Sequence, residues 1–107
     1  MLRIYPVILE VLHQLRAALA QIERRDSDLA RQLRRSATSI LLNVAEGSYS
    51  RGRSRAARYH TALGSARETL ACLEAAHALS YMGSLDAAVV AQLNRIIGTL
   101  VRLVGVS

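Results

Sequence analysis

At 107 residues, 51% of them apolar and none of them tryptophan or phenylalanine, the chain has material for one aliphatic core and too little for two. Its fourteen basic residues are all arginine and outnumber eight acids, for a formal charge of +6. The single cysteine, Cys72, excludes an internal disulfide and reads as a small buried apolar residue of a reducing compartment. Arg3, Pro6 and Glu10 break any leader-like apolar run, and no uncharged stretch nears the roughly 18 residues of a membrane span. These features predict one cytoplasmic domain over residues 1–107, without membrane insertion.

The periodicity predicts four helices. The first opens near Pro6, whose missing N–H is harmless in a first turn, and carries Ile4, Ile8, Val11, Leu15, Ala18 and Ile22 along one seam. Arg24 and Arg25 complement its dipole, and Asp26-Ser27-Asp28 offers a cap for the next helix. Helix 2, from about Asp28 to about Ser48, places Leu29, Leu33, Ala37, Ile40 and Val44 on one face, with Gly47 placed to end it. After the connection Ser48-Tyr49-Ser50-Arg51-Gly52, Ser54 can cap helix 3, whose seam is Tyr59, Leu63, Ala66, Leu70, Leu73 and His77 and whose end is expected at Gly83. Ser84 is the expected cap of helix 4, with the seam Val89, Leu93, Ile96, Leu100 and Leu103 and a second apolar line at Val90, Ile97, Val101 and Val104.

Four amphipathic helices with short connections predict an all-α, antiparallel up-down-up-down bundle. A monomer would leave the second apolar line of helix 4 in water, so a homo-oligomer is expected, with helix 4 against a neighbouring subunit; a helix lying deeper in its own bundle is the alternative.

The arginines are unevenly placed. Between Arg31 and Arg67 stand eight of them and one acid, Glu46, a local balance of +7, whereas the other six arginines meet seven acids. Arg51, Arg55 and Arg58 share a helical face, and if positions i and 100 − i face each other across the hairpin, Arg67 comes level with Arg34 and Arg35. With Arg31 and Arg53 these form a candidate nucleic-acid-binding stripe, since a planar guanidinium grips phosphate with two hydrogen bonds and stacks on bases. Tyr49 beside it offers a stacking surface. The plainer reading is a solvated polar face.

Within helix 2, Arg35, Ser39, Asn43 and Glu46 form a polar line. Glu46 is expected to pair with Arg51, Arg55 or Arg58, and Gly47 to allow close approach, so that Asn43, Glu46 and Gly47 serve as a structural joint rather than as ligand contacts. Two Glu-x-x-His pairs, Glu10 with His13 and Glu74 with His77, resemble di-iron ligands, but His77 lies on a seam, His13 points outward, and they differ in height. No metal site, cofactor or nucleophile–base constellation is expected, and hence no enzyme.

The residues Gln32-Leu33-Arg34-Arg35-Ser36-Ala37-Thr38-Ser39-Ile40, then Asn43-Val44-Ala45-Glu46-Gly47, resemble the signature of the bacterial four-helix-bundle proteins associated with intervening sequences of 23S ribosomal RNA genes. The likeness continues at Ala62-Leu63-Gly64-Ser65-Ala66-Arg67-Glu68 and Leu79-Ser80-Tyr81, and spans about residues 5 to 104. Leu41 stands where that family commonly has proline, and Tyr59 where phenylalanine is usual. The resemblance implies a four-helix bundle assembling as a ring, commonly a homopentamer. Its relatives include accessory proteins of diversity-generating retroelements, which bind a reverse transcriptase and RNA. Sequence and resemblance together predict an oligomeric protein that binds RNA or a ribonucleoprotein. The rivals are a scaffold for an acidic protein and a peripheral contact with anionic lipid.

Overall fold

The computed structural model describes residues 2–105 and is helical in each of its elements: α1 (Ile4–Glu23), α2 (Ser27–Tyr49), α3 (Gly52–Ala78) and α4 (Ala87–Gly105). Residues 1, 106 and 107 of the expected domain lie outside the described residues. Each helix packs on the two that adjoin it around the square, α1 on α2 and α4, α3 on α2 and α4, with α2 and α3 sharing the longest interface. This is the up-down-up-down bundle, 42 × 24 × 20 Å.

Most of the seam positions read from spacing are buried, while Ala18, Leu29, Leu70 and Leu103 pack half-buried against them. Ile4, Ile8, Val11, Leu15 and Ile22 of α1 meet Leu33, Ala37, Ile40 and Val44 of α2, Leu63, Ala66 and Leu73 of α3, and Val89, Leu93, Ile96 and Leu100 of α4 in one cluster. Cys72 is buried within this core, where loss of water, with the nearby Glu68 carboxylate, pushes its thiol pKa up. Asp26 accepts the Leu29 N–H at 3.0 Å and caps α2 as expected. Pro6 falls in the first turn of α1, which begins at Ile4, whereas Arg24 and Arg25 lie just past that helix's last turn.

The largest departure is the end of α3. The helix stops at Ala78 rather than Gly83 because Ser80 adopts a left-handed backbone (φ 61°). The N–H groups of Ser80 and Tyr81 turn back onto the carbonyls of His77 and Ala76 at 3.0 and 2.8 Å, a Schellman closure usually made with glycine. Ala76 takes the seam position expected of His77, which is exposed, its Nδ1 3.1 Å from the Gly83 carbonyl. Capping also moves by a residue or two. Asp86, not Ser84, accepts the Ala88 N–H at 2.9 Å, and α3 begins at Gly52 (φ 57°), ahead of Ser54.

By length and composition α4 is apolar enough to cross a membrane, with mean hydropathy 1.4 over an 18-residue window, although it carries Arg95 and Arg102. Its seam is buried in the bundle, but Val101 is 43% exposed, and Val90, Ile97 and Val104 are half-buried. The apolar excess therefore lies on its outer flank.

Candidate nucleic-acid interface

The joint between α2 and α3 is built from small and hydroxylic side chains. Gly47 is buried in the last turn of α2, and the ring of Tyr59 lies directly against it. A Cβ added there would come within 2.7 Å of Tyr59 Cδ1. Glycine is needed because two backbones must approach with an aromatic ring between them. The helix continues past it to Tyr49, so Gly47 sets the approach and does not end the helix.

Further along the same interface Ser39 Oγ lies 2.7 Å from Ser65 Oγ, and Thr69 Oγ1 lies 2.9 Å from Ser36 Oγ and 2.8 Å from the Ser65 carbonyl. Ser36 Oγ also reaches the Leu33 carbonyl at 3.1 Å. Both Ser36 and Thr69 are buried, so each hydroxyl must find its partner inside the protein. The Asn43 amide donates to the Ser39 carbonyl (2.9 Å) and Oγ (3.0 Å), while its Oδ1 faces Arg58 at 3.5 Å. A hydroxyl ladder thus runs up the hairpin. Ser39 and Asn43 belonged to the polar line seen in the sequence, whereas Ser36 and Thr69 did not, since each stands beside a charged residue that gives no sign of burial.

These contacts fix the register. Facing positions sum to about 105 rather than 100, a slip of about 7.5 Å at 1.5 Å per residue. The cause is the connection, where Ser50 and Arg51 run extended and carry the chain beyond the end of α2 before α3 begins. Arg34 and Arg35 therefore stand level with Leu70 and Ala71. Arg67 follows Ser65 by two residues, about 200° around the helix, and so turns away from α2.

The eight arginines are exposed, but they do not form one stripe. Arg31 and Arg35 share the outward face of α2, with Arg34 to one side; Arg31 holds Asp28 at 2.6 Å. Arg51 and Arg53 stand at the hairpin end, Arg51 at the extended N-cap of α3. Arg55 is engaged within the chain, its Nε donating to the carbonyls of Gly47 (3.2 Å) and Ser50 (2.9 Å), where its charge meets the negative end of the α2 dipole. Arg58 leans toward Asn43. Glu46 makes no ion pair with Arg51, Arg55 or Arg58, contrary to expectation. The Arg31–Asp28 pair is the only one among the described residues, and the backbone carbonyls took the guanidinium that Glu46 was expected to hold.

Beside the ladder, an open groove runs between the outer face of α2 and α3. Gln32, Arg35, Ser39 and Asn43 line its α2 side with Arg34, Thr38 and Leu42 at the rim, and Ser65 and Glu68 line its α3 side. Leu42 is 57% exposed, and Tyr49, two turns on along the same outward line, is 83% exposed. Cation, hydroxyl, amide and apolar surface are thus presented together, a combination suited to phosphate, sugar and base. Elsewhere the titratable groups are dispersed. Glu10 takes the Gln14 amide, and the His13 ring faces Arg16. Among the described residues no three His, Cys, Asp or Glu side chains gather as metal ligands.

Comparison with curated proteins gives no match. In structure the chain is similar to a protein of unknown function from the S23 ribosomal protein family of Bacteroides thetaiotaomicron, with a TM-score of 0.79 at 20% identity, covering 94% of this chain and 97% of the other. At that identity the likeness speaks for the fold. In sequence, residues 7–102 match the family described as 23S rRNA-intervening sequence protein, a span that includes α2, α3 and the joint between them. On that match the chain belongs to the 23S rRNA-intervening sequence protein family.

Proposed function

We propose that this protein is a non-enzymatic, self-associating bundle that binds RNA, alone or within a ribonucleoprotein, through the arginine-bearing outer face of α2 and the adjoining end of α3. The observation that carries this reading is uncompensated charge. Of the eight arginines between Arg31 and Arg67, Arg31 alone is joined to a carboxylate among the described residues. Positive charge left unpaired on the surface of a small domain attracts a polyanion and raises its encounter rate. The family description supports RNA as that polyanion. A reverse transcriptase or similar partner, implied by the resemblance, would bring RNA to the same face.

Self-association is supported by α4. Ala87, Ala91, Asn94, Gly98, Val101 and Gly105 recur at alternating steps of four and three along its outer side, next to half-buried Val90, Ile97 and Val104. The small residues of this line, Ala87, Ala91, Gly98 and Gly105, let a neighbouring helix approach closely, and burial of the valines and isoleucine drives the approach. We infer that copies of the chain meet through this helix, with a homopentamer as the assembly implied by the resemblance.

The test is fluorescence anisotropy with a structured RNA and a DNA duplex at 50 and 200 mM salt. Release of counterions from about four phosphate contacts lowers affinity about 100-fold over that range. A flat salt response, or absence of binding at 50 mM salt, overturns the reading. Exposed Leu42 and Tyr49, further along the face of α2 that carries Arg35, also suit an acidic protein partner, and that rival gains if RNA fails while an acidic polypeptide binds.

A further inference from the structure

On the α3 side of the groove stands a carboxylate that a plain phosphate site would not want. Glu68 lines the same groove as Arg34 and Arg35, and the observed register makes it level with Ala37, half a turn from Arg35. Yet Glu68 and Arg35 form no ion pair, and Glu68 is exposed. Between them the groove is lined by Ser36, Ser39 and Ser65, with Leu42 and Asn43 further along α2. The groove therefore offers cations on one side and an unpaired acceptor on the other, separated by neutral donors and acceptors.

We propose that this groove holds an unpaired guanine of RNA, with Glu68 accepting from its Watson–Crick edge while Arg34 and Arg35 hold the adjoining phosphate. The inference rests on the RNA-binding reading above. An ionised carboxylate only accepts hydrogen bonds, through two oxygens side by side. Among the four bases, guanine alone presents two adjacent donors on that edge, N1–H and the N2 amino group. Adenine and cytosine present one amino group beside an acceptor that the carboxylate repels, and uracil presents one imide N–H between two carbonyls. Base edges are open to such contact only in single-stranded segments, where the face of the base can rest on an apolar side chain such as Leu42. Glu68 thus has opposite effects on two parts of one ligand, opposing the phosphate and selecting the base.

Those opposite effects supply the test. Anisotropy is measured at 100 mM salt with a labelled single-stranded RNA dodecamer of A and U containing three guanines, and with its twin in which inosine, which lacks the N2 amino group, replaces guanine. The native chain binds the guanine oligomer about tenfold more tightly than the inosine twin, as a bidentate contact to a base edge commonly gives. In Glu68→Gln that ratio falls to near one, while the inosine oligomer binds more tightly than to the native chain because a negative charge has left the groove. Arg35→Ala weakens both oligomers alike. Thermal melts establish that the two exposed substitutions leave the fold intact. Equal binding of guanine and inosine oligomers by the native chain overturns the inference and leaves the RNA reading standing. If Glu68→Gln tightens both oligomers equally, Glu68 is only a surface charge and the inference likewise fails. Displacement of the oligomer by equimolar free GMP would move the site to a free nucleotide and overturn the assignment to RNA. Absence of binding to any RNA removes both readings.

Discussion

Where α2 meets α3, hydroxyls face hydroxyls and a tyrosine ring lies on a bare glycine; where α4 meets its neighbours, Val89, Leu93, Ile96 and Leu100 supply the buried contact. The first interface is directional, because a hydrogen bond tolerates only small changes of angle and distance. The second is not, because apolar burial scales with area and accepts several arrangements. One bundle thus divides its work. The aliphatic half provides stability, and the hydroxyl-seamed half fixes the height at which α2 and α3 meet and so positions the groove beside them.

The largest effect is expected on the aliphatic side. Leu93→Ala removes a fully buried side chain from the centre of α4, and the unfilled volume adds to the lost transfer energy, for about 2–5 kcal/mol. Urea unfolding measures it as a lower midpoint with unchanged slope. Because nothing at this site sets the α2–α3 register, RNA affinity measured where the variant is folded should match that of the native chain. A matched loss of affinity would show that the two halves are not separable.

Next in size is Gly47→Ala. The added methyl meets a buried aromatic ring at both its δ and ε carbons, so either the ring or the helix must move, at a cost of about 1–3 kcal/mol. Unlike Leu93→Ala, this change displaces α3 against α2 and should therefore lower RNA affinity in the folded variant. Combining it with Tyr59→Leu should recover part of the stability, because the obstacle is the ring; a purely additive double variant would place the obstacle elsewhere.

The two halves differed in how well the sequence revealed them. The seams of α1 and α4 were legible because Ile, Val and Leu at helical spacing have one reading. In α3 the seam held as far as Leu73 and then passed to Ala76 instead of His77, because a strict four-three repeat drifts against 3.6 residues per turn, while the early helix end at a left-handed Ser80 had no glycine to mark it. At the site, the arginine cluster and the Asn43–Gly47 joint were legible as types of residue. Their geometry was not, since the register depended on two extended residues, Ser50 and Arg51, whose composition is that of any turn. That slip separates Arg67 from Arg34 and Arg35. Glu68, one residue beyond the arginine-rich span, was not read as part of the site, although it lines the groove. The role of Arg55 was hidden for a related reason, because its acceptors are backbone carbonyls, which every sequence has.

A smaller effect is expected from the buried hydroxyl pair. Thr69→Val keeps the shape of the side chain and removes its hydroxyl, taking a partner from Ser36; the loss should be about 1–2 kcal/mol. Ser36 keeps the Leu33 carbonyl, which places the value toward the lower end. The double change Thr69→Val with Ser36→Ala should cost less than the sum of the single changes, since no polar atom of the pair then remains to be satisfied. Additivity in a denaturant-based cycle would mean that the two hydroxyls do not depend on each other, and that the ladder contributes nothing to the register.

The smallest effects on stability, within about 0.5 kcal/mol for the isolated chain, are expected from charges placed on exposed apolar residues, and here the comparison is sharpest. Val101 on α4 and Leu42 on α2 are similarly exposed, at 43% and 57%, yet they serve different surfaces. Val101→Asp buries a carboxylate wherever copies of α4 meet, so light scattering should show assemblies dissociating toward monomer while the folded chain still binds RNA at its own groove, with less gain from multiple contacts. Leu42→Asp should leave the assembled mass unchanged and weaken RNA binding, since it adds negative charge beside Arg34 and Arg35. If Leu42→Asp disperses the assembly and Val101→Asp does not, the copies meet through α2. The arginine face would then be buried in the oligomer and could not be the surface that binds RNA.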